Sequence, residues 1–216
     1  MSSHPLGLSL QVSLLATGVV TLIGVPLAIL LARGRFPGKA AFETLVMLPM
    51  VLPPSVIGYY LLLALGRNGP VQKLFGIQLL LTWQAAVVAA SVVALPVMVM
   101  PAKAAILDVS PVLERAARTL GSSEWRVLWR VTLPLAWRGI LAGLVLAFAR
   151  AMGEFGATLM VAGNIPGRTQ TAALFIYDAV QMQEYRSANI MVGLMTLIGL
   201  AALIIASRMQ RRHTKP

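Results

Sequence analysis

Long apolar runs dominate the chain. Four of them contain no Asp, Glu, Lys or Arg, and a fifth is interrupted by one Arg and one Glu. The four are Leu8–Ala32, Thr44–Gly66, Leu74–Ala102 and Ser187–Ser207, and the fifth is Gly139–Gly163. Each is close to or above the ~20 residues that a helix needs to cross a bilayer. None alternates like a membrane barrel strand, so the pattern predicts an all-α integral membrane protein with about five spans.

Composition supports this class. Hydrophobic residues make up 58% of the 216 positions and charged residues 12%, whereas soluble proteins are about 45–50% apolar. A soluble alternative would need five core helices with almost no polar face. Leu8–Ala32 is too long for the apolar region of a signal peptide, so we expect a retained span. We expect residues 1–216 to form a single transmembrane domain.

The formal net charge of +11 is distributed unevenly over the loops. When the loops are assigned alternately to two sides, thirteen cations fall on one side and four on the other, with Arg150 inside a span. The larger set is Arg33, Arg35, Lys39, Lys103, Arg115, Arg118, Arg126, Arg130, Arg138, Arg208, Arg211, Arg212 and Lys215; the smaller is Arg67, Lys73, Arg168 and Arg186. The positive-inside rule then predicts an outer N-terminus and a cytoplasmic C-terminus. The basic excess is thus explained without a nucleic-acid partner.

The second apolar run contains several helix breakers. Pro49, Pro53, Pro54 and Gly58 lie within "LVMLPMVLPPSVIGYYLLLAL". Each interior proline removes a backbone hydrogen bond, so we expect a kinked or partly unwound helix. Irregular backbone at membrane depth persists only where protein or a water-filled cavity covers it. The pattern fits either a span that lines a transport pathway or a packing helix with a proline kink.

The third and fourth runs flank a polar block, "ERAARTLGSSEWRVLWRVTLP", from Glu114 to Pro134. Its first part predicts a short helix with Ser110 at the N-cap and Pro111 at the first helical position. Glu114 and Arg118 are spaced i, i+4, and Gly121 is a typical helix terminator. The apolar stripe of this helix is Leu113, Ala116, Ala117 and Leu120.

The second part of the block predicts another amphipathic helix. Ser122 or Ser123 begins it, Glu124 lies in the first turn, and we expect Pro134 to end it before the fourth span. Its apolar stripe is Trp125, Leu128, Trp129 and Thr132, and the opposite face carries Arg126 and Arg130. The whole loop, about residues 103–138, fits either a hairpin resting on the inner leaflet or a docking element for a cytoplasmic partner.

The block resembles the cytoplasmic EAA loop of ABC-type import permeases, whose pattern is E-A-A, three residues, G, nine residues, I-x-L-P. Here Ala116 and Ala117 are followed by three residues, Gly121, nine residues and "VTLP". The chain departs from the pattern at Arg115, where the acid is expected and Glu114 lies one place early, and at Val131, which replaces I. "FPGKAAFETLVMLPMVLPPSVIGYYLL" and "LAFARAMGEFGATLMVAGNIPGRTQT" resemble molybdate permeases in particular, although "GEFGA" also occurs in sulfate permeases.

The resemblance implies the MetI-like fold of an ATP-driven importer of molybdate, or alternatively of tungstate or of sulfate or thiosulfate. It implies a homodimer that works by alternating access, two cytoplasmic ABC ATPase subunits, and a periplasmic or extracellular oxyanion-binding protein. ATP would bind the ATPase, because this chain has no G-x-x-x-x-G-K-[ST] loop; we expect no cofactor or metal on the chain. The implied coupling residues are Glu114, Arg115, Ala116, Ala117, Gly121, Ser122, Glu124, Arg126, Leu133 and Pro134.

Two charges lie in the fourth span. Arg150 and Glu154 are spaced i, i+4 on one predicted helix near mid-span, with Gly153 and Gly156 beside them. Charges at that depth are costly, so we expect them to face protein or water. They fit either a self-neutralising structural pair or part of a gate. The candidate pathway or gate residues are Pro53, Pro54, Arg150, Gly153, Glu154 and Gly156.

Two other functional classes find little support. A membrane enzyme could use Glu154 as an acid or base, but His4 and His213 lie near the termini and there are no cysteines. A passive channel would not need the polar block. In the outer segment 164–186, the apolar stretch Ala172–Val180 is too short to span, so we expect an interfacial or re-entrant helix.

Overall fold

A computed structural model describes residues 5–211, and every regular element in that range is helical. The α-helices are α1 (Pro5–Arg33), α2 (Lys39–Val51), α3 (Pro54–Leu65), α4 (Pro70–Phe75), α5 (Trp83–Leu107), α6 (Pro111–Thr119), α7 (Glu124–Val127), α8 (Leu133–Met152), α9 (Gly156–Ala162), α10 (Ala172–Gln181) and α11 (Tyr185–Arg211). A π-helical turn, Leu128–Thr132, joins α7 to α8. The positions predicted at the extreme ends, namely His4, Arg212, His213 and Lys215, lie outside the described residues.

The membrane-length helices agree with the apolar runs. Within residues 5–211, four helices are long and apolar enough to cross a bilayer: α1, α5, the continuous stretch Glu124–Met152, and α11. The α2–α3 pair counts as a fifth if it is one broken span. The prediction of about five spans is thereby confirmed. The third span starts later than its apolar run, because α5 begins at Trp83, with the Thr82 hydroxyl accepting a hydrogen bond from the Ala85 N–H.

Helix α5 lies at the centre of the fold. It packs against α1 on one side and α8 on another, and its buried surface is rich in alanine. Small residues let membrane helices approach closely. Gly139 and Gly143 of α8 show this directly, since a Cβ at Gly139 would collide with the Ala105 Cβ and one at Gly143 would lie 2.9 Å from the Met98 carbonyl oxygen. Larger residues there would force α8 away from α5.

The predicted break in the second span is confirmed. The helix axis turns by 112° between Lys39–Val51 and Pro54–Phe75. Pro49 lies inside α2, whereas Pro53 precedes α3 and Pro54 occupies its first turn. Proline is well tolerated in the first turn, where its missing N–H has no helical partner to lose. The Pro-Pro pair therefore ends one helix and starts the next.

Two predictions for the fourth span are wrong. Pro134 does not end a helix, because the chain is helical from Glu124 to Met152 and a π-turn precedes the proline. The π-turn widens the helix where the proline ring would otherwise collide with the carbonyl four residues earlier. Arg150 and Glu154 do not share one helix either. Helix α8 ends at Met152, close to Arg150, and α9 begins only at Gly156.

Candidate functional site

The polar loop folds as two helices joined at Gly121, as the sequence predicts. Ser110 is at the N-cap position of α6 and Pro111 is in its first turn, although the Ser110 side chain makes no capping hydrogen bond. At the other end, the Gly121 N–H donates to the Arg118 carbonyl (2.9 Å) and the Ser122 N–H to the Ala117 carbonyl (3.1 Å). This is a Schellman ending, and Gly121 has the left-handed backbone it requires, with φ at +82°.

Glu114 is the most buried residue of α6, with 2% of its surface exposed. Its Oε2 accepts a hydrogen bond from Arg33 Nη1 at 2.7 Å, and its Oε1 accepts one from Arg33 Nη2. Oε1 also accepts a hydrogen bond from the Thr132 hydroxyl at 2.7 Å. Arg118 Nη2 lies 3.8 Å from Oε2. The carboxylate is therefore held by a bidentate arginine fork, the strong geometry for this pair.

The donors to Glu114 come from distant parts of the chain. Arg33 is the last residue of α1, and its Nη2 also donates to the Ile106 carbonyl near the end of α5 at 3.2 Å. Thr132 is the last residue of the π-turn before α8. One buried carboxylate thus joins the polar loop to the ends of three membrane helices. We call Glu114, Arg33 and Thr132 the junction.

A second ion pair closes the loop across Gly121. Arg118 Nε donates to Glu124 Oε1 at 2.5 Å, and Arg118 Nη2 donates to Oε2 at 3.0 Å. The Arg118 hydrogen bond lowers the pKa of Glu124 below its usual range and correspondingly raises the pKa of Arg118. Both side chains are accessible to water. Exposed ion pairs contribute little to stability. This contact therefore affects the geometry of the turn more than the stability of the loop.

The rest of the loop presents apolar and basic side chains outward. Leu113, Leu120, Trp125 and Trp129 are all at least half exposed, and the two indole rings contact edge to face at 5.8 Å. Of the remaining predicted coupling residues, Arg115, Ala116, Arg126 and Pro134 are exposed, and Ala117, Ser122 and Leu133 are partly buried. Arg126 forms no ion pair with any carboxylate that the structure describes. Aromatic and arginine side chains of this kind are typical of binding surfaces.

The second candidate region lies where α8 ends. Arg150 Nη1 is 2.9 Å from Glu154 Oε2, so the predicted pair forms even though the helix breaks between the two residues. Glu154 is 3% exposed, and its Oε1 accepts a hydrogen bond from the Ala157 N–H at 2.9 Å. The carboxylate thereby satisfies an otherwise unpaired N–H at the start of α9.

This break lies against the broken second span. A Cβ at Gly156 would come 2.9 Å from the Pro54 Cβ, and one at Gly58 would come 2.7 Å from the Met160 Cβ. Pro54 and Gly156, two of the predicted gate residues, are thus in close contact. Gly153 is different, since a Cβ there would meet nothing nearer than 3.8 Å. The structure brings Pro53, Pro54, Glu154 and Gly156 to one place where two helices break.

Sequence reasoning did not identify Arg33 or Thr132 as site residues. Arg33 counted only as one of the cytoplasmic cations, and it lies 81 positions from Glu114. The same holds for the ion pair between Lys103 of α5 and Glu43 of α2. In the segment 164–186, α10 coincides with the predicted Ala172–Val180 helix, and the Ala172 N–H donates to the Ser9 hydroxyl at 2.7 Å. Among residues 5–211, no group of three His, Cys, Asp or Glu side chains could hold a metal ion.

Comparison with known proteins gives consistent results. Residues 24–215 match the family model of the binding-protein-dependent transport system inner membrane component. The chain is 42% identical to the "Molybdenum transport system permease protein ModB" of Escherichia coli K12, over 94% of this chain and 91% of that protein. It is 33% identical to the "Sulfate transport system permease protein CysW" of Synechocystis, over 96% of this chain and 76% of that one.

Among solved structures, the inward-facing MetNI methionine ABC transporter superimposes on the chain with a TM-score of 0.73. The match covers 96% of this chain and 94% of the other at 19% identity, and so it concerns the fold alone. The predicted fold class, an all-helical import permease, is confirmed by this match together with the family model.

Proposed function

Because the chain belongs to the family of binding-protein-dependent transport system inner membrane components, we propose that it is the membrane-spanning subunit of an ATP-driven importer of molybdate. It would act as a homodimer by alternating access, with two copies of a separate ABC ATPase inside and an oxyanion-binding protein outside. The 42% identity to a molybdenum permease along nearly the full length of both proteins is the observation that carries the choice of substrate.

The polar loop supports ATP-driven transport over passive conduction. Its two helices turn sharply at Gly121 and leave Leu120, Trp125 and Trp129 exposed on the surface of the chain. Exposed apolar and aromatic side chains next to unpaired arginines favour a protein partner. We propose that the ATPase docks on this surface, and that Glu114, Arg115, Ala116, Ala117, Ser122, Glu124 and Arg126 belong to the docked loop. ATP would then be bound and hydrolysed on the partner.

The two broken helices support a gate near Glu154. Pro54 and Gly156 contact each other at the breaks, and the backbone there is irregular inside an apolar bundle. Such backbone persists at membrane depth where it lines a cavity or is covered by protein. We propose that Pro53, Pro54, Gly156 and the Arg150–Glu154 pair belong to the moving part of the pathway, and that the pair mainly neutralises itself instead of holding the anion.

The sulfate permease relative favours one alternative substrate. CysW covers the chain at 33% identity, and tungstate, sulfate and thiosulfate are chemically related anions. These differ mainly in size, and a permease pathway must bind weakly enough to release its anion. The external binding protein would then make most of the selection.

Reconstitution tests the proposal. The chain would be purified with an ABC ATPase and an oxyanion-binding protein from the same organism, inserted into vesicles containing ATP, and supplied with labelled molybdate. We expect ATP-dependent uptake that requires the binding protein, and weaker uptake when sulfate replaces molybdate. Uptake without ATP would indicate a channel, and preferential uptake of sulfate would replace the proposed substrate.

The orientation is tested separately. The thirteen-to-four division of cations predicts an outer N-terminus and an inner C-terminus. A reporter that is active only in the cytoplasm should therefore be active when fused after Pro216. The same reporter inserted after Asn68, on the opposite side in this topology, serves as the matched control and should be silent. The reverse pattern in well-expressed fusions would overturn the orientation.

A further inference from the structure

Two residues outside the specified positions of the EAA pattern hold the polar loop against the membrane helices. Arg33 ends α1, and Thr132 occupies the unspecified position of the I-x-L-P sequence. Both donate to the Glu114 carboxylate. We infer that Arg33 and Thr132 are positioning residues that pass movement of the coupling loop to α1 and to α8, with Glu114 as their common acceptor. This inference rests on the proposed function, because it concerns how ATPase movement enters the permease.

The burial of Glu114 makes the junction hard to open. A buried carboxylate without its partners is strongly unfavourable, whereas here each oxygen accepts a hydrogen bond from the Arg33 fork and Oε1 accepts a further one from Thr132. If α6 is displaced, we therefore expect the Arg33 and Thr132 side chains to move with Glu114. The exposed Arg118–Glu124 pair has no such constraint, because water can replace either partner.

Other packing of α6 does not provide this link. Helix α6 packs mainly on α7 and on the π-turn, and the apolar residues Leu113, within it, and Leu120, at its C-cap, are exposed on the surface of the chain. Arg33 gives the loop a side-chain connection to α1, and its Nη2 extends that connection to the Ile106 carbonyl in α5. A single side chain, that of Arg33, thus connects the loop to the first span, which packs against the central helix α5.

Thr132 gives the second connection, at a point where the helix is already irregular. It is the last residue of the π-turn, in which the Leu133 N–H donates to the Leu128 carbonyl five residues back. Such turns are frequent at functional sites and interrupt the regular helix. Because Thr132 donates to Glu114 at this turn, we expect movement of α6 to displace the start of α8.

The junction can be broken one donor at a time. Arg33→Gln removes the fork, Thr132→Val removes one hydroxyl from a side chain of equal shape, and Glu114→Gln removes the charge. We expect Glu114→Gln and Arg33→Gln to lower the molybdate taken up per ATP hydrolysed about tenfold, within the usual range of coupling between sites. Thr132→Val should lower it about threefold. Arg33→Lys should recover part of the loss. Glu43→Gln is the matched control, because Glu43 is also paired with a cation, Lys103, but has no assigned role in docking or gating.

Spin labels provide a readout that does not depend on transport. The chain has no cysteine, so labels can be placed in pairs at introduced cysteines, Leu120 with Leu30 of α1 and Leu120 with Leu135 of α8, which are all exposed. In the purified permease, Arg33→Gln should broaden the distance distribution between Leu120 and Leu30. Thr132→Val should broaden the one between Leu120 and Leu135 and leave the first narrow.

The outcomes separate this inference from the proposed function. If the unaltered complex fails to import molybdate, the proposed function fails, and the label distances still judge the junction. The inference is overturned if the variants keep narrow distance distributions, whatever the uptake ratio, or if Glu114→Gln couples as well as Glu43→Gln in folded complexes. Detergent-solubilised yield identifies variants that do not fold, and Thr132→Val and Arg33→Lys are conservative enough to carry the test alone.

Discussion

Two buried glutamates lie in the part of the chain that the structure describes, and each is bound to an arginine whose side chain is 35% exposed. Glu154 is paired within its own stretch of chain, with Arg150 four residues before it and the Ala157 N–H three residues after it. Glu114 accepts hydrogen bonds from Arg33, 81 positions away, and from Thr132, 18 positions away. Their burial is nearly the same, but the sources of their partners differ.

The difference concerns what each carboxylate can do. A locally paired carboxylate neutralises a charge and caps a helix, and it can move with its own segment without opening other contacts. A carboxylate held by distant segments fixes those segments to one another. Glu154 therefore suits a part that changes position, whereas Glu114 suits a part that must move as a unit with the membrane helices.

The largest effect is expected from unpairing Glu154. Arg150→Gln leaves a buried carboxylate without its cation. Breaking such a pair costs about 3–5 kcal/mol when both groups are fully buried. We expect a smaller cost here, because the Arg150 side chain is partly exposed. We expect Arg150→Gln and Glu154→Gln each to lower the yield of detergent-solubilised dimer more than the double change does. A double variant that assembles no better than the worse single variant would contradict the pairing. A double variant that assembles well but takes up no molybdate would indicate that Arg150 binds the anion.

The next effect concerns the turn that positions Glu114. Gly121 has φ at +82°, and a Cβ there would meet nothing within 4 Å. Valine at position 121 would therefore clash with no neighbour, but holding this β-branched residue at positive φ costs about 1–2 kcal/mol or more. We expect normal membrane insertion but ATP hydrolysis without uptake. Gly121→Asn is the control, because asparagine tolerates this conformation; normal uptake by the valine variant would refute the requirement.

The contact beside Glu154 should have a smaller effect on transport, and a nearby glycine provides its control. Gly156→Ala would place a methyl group 2.9 Å from the Pro54 Cβ, whereas Gly153→Ala, three residues away, meets no atom nearer than 3.8 Å, an ordinary van der Waals contact. Forcing a methyl group into a packed contact typically costs about 1–3 kcal/mol. Thermal stability should fall, and uptake with it, for Gly156→Ala but not for Gly153→Ala. Equal behaviour of the two variants would show that the two breaks do not touch in the working protein.

The smallest effect is expected at the exposed pair next to the junction. The Arg118 hydrogen bond lowers the pKa of Glu124, so its contribution is present above the ordinary glutamate pKa of about 4.3 and is lost as pH falls through the lowered value. At neutral pH Glu124→Gln should change the coupling ratio less than about twofold. Label mobility at Leu120 should rise in the wild type only in strong acid. A rise near pH 6 would implicate another group.

Local patterns account for what was predicted correctly. Charge-free runs locate the spans, the Pro53–Pro54 pair locates the break, and glycine at position 121 identifies the left-handed turn. The i, i+4 spacing of Arg150 and Glu154 also predicts their contact. The pairing of Glu114 with Arg33 could not be read in the same way, because it depends on how α1 and α6 are placed in space. The continuation of the helix through Pro134 depends on a π-turn, which has no sequence signature of its own.

The π-turn also changes the angular register of the helix that contains it. In a regular α-helix each residue advances about 100° around the axis, so Trp137, twelve residues after Trp125, would lie about 120° away. The one additional residue in a π-turn takes back about 100° of this rotation. Trp137 thus returns to the side of the helix that carries Trp125, and all three tryptophans, with Trp129 between them, are exposed. Converting Leu128–Thr132 to regular α-helix at unchanged length would therefore rotate Trp137 by about 100° and divide this aromatic surface into two that face different directions.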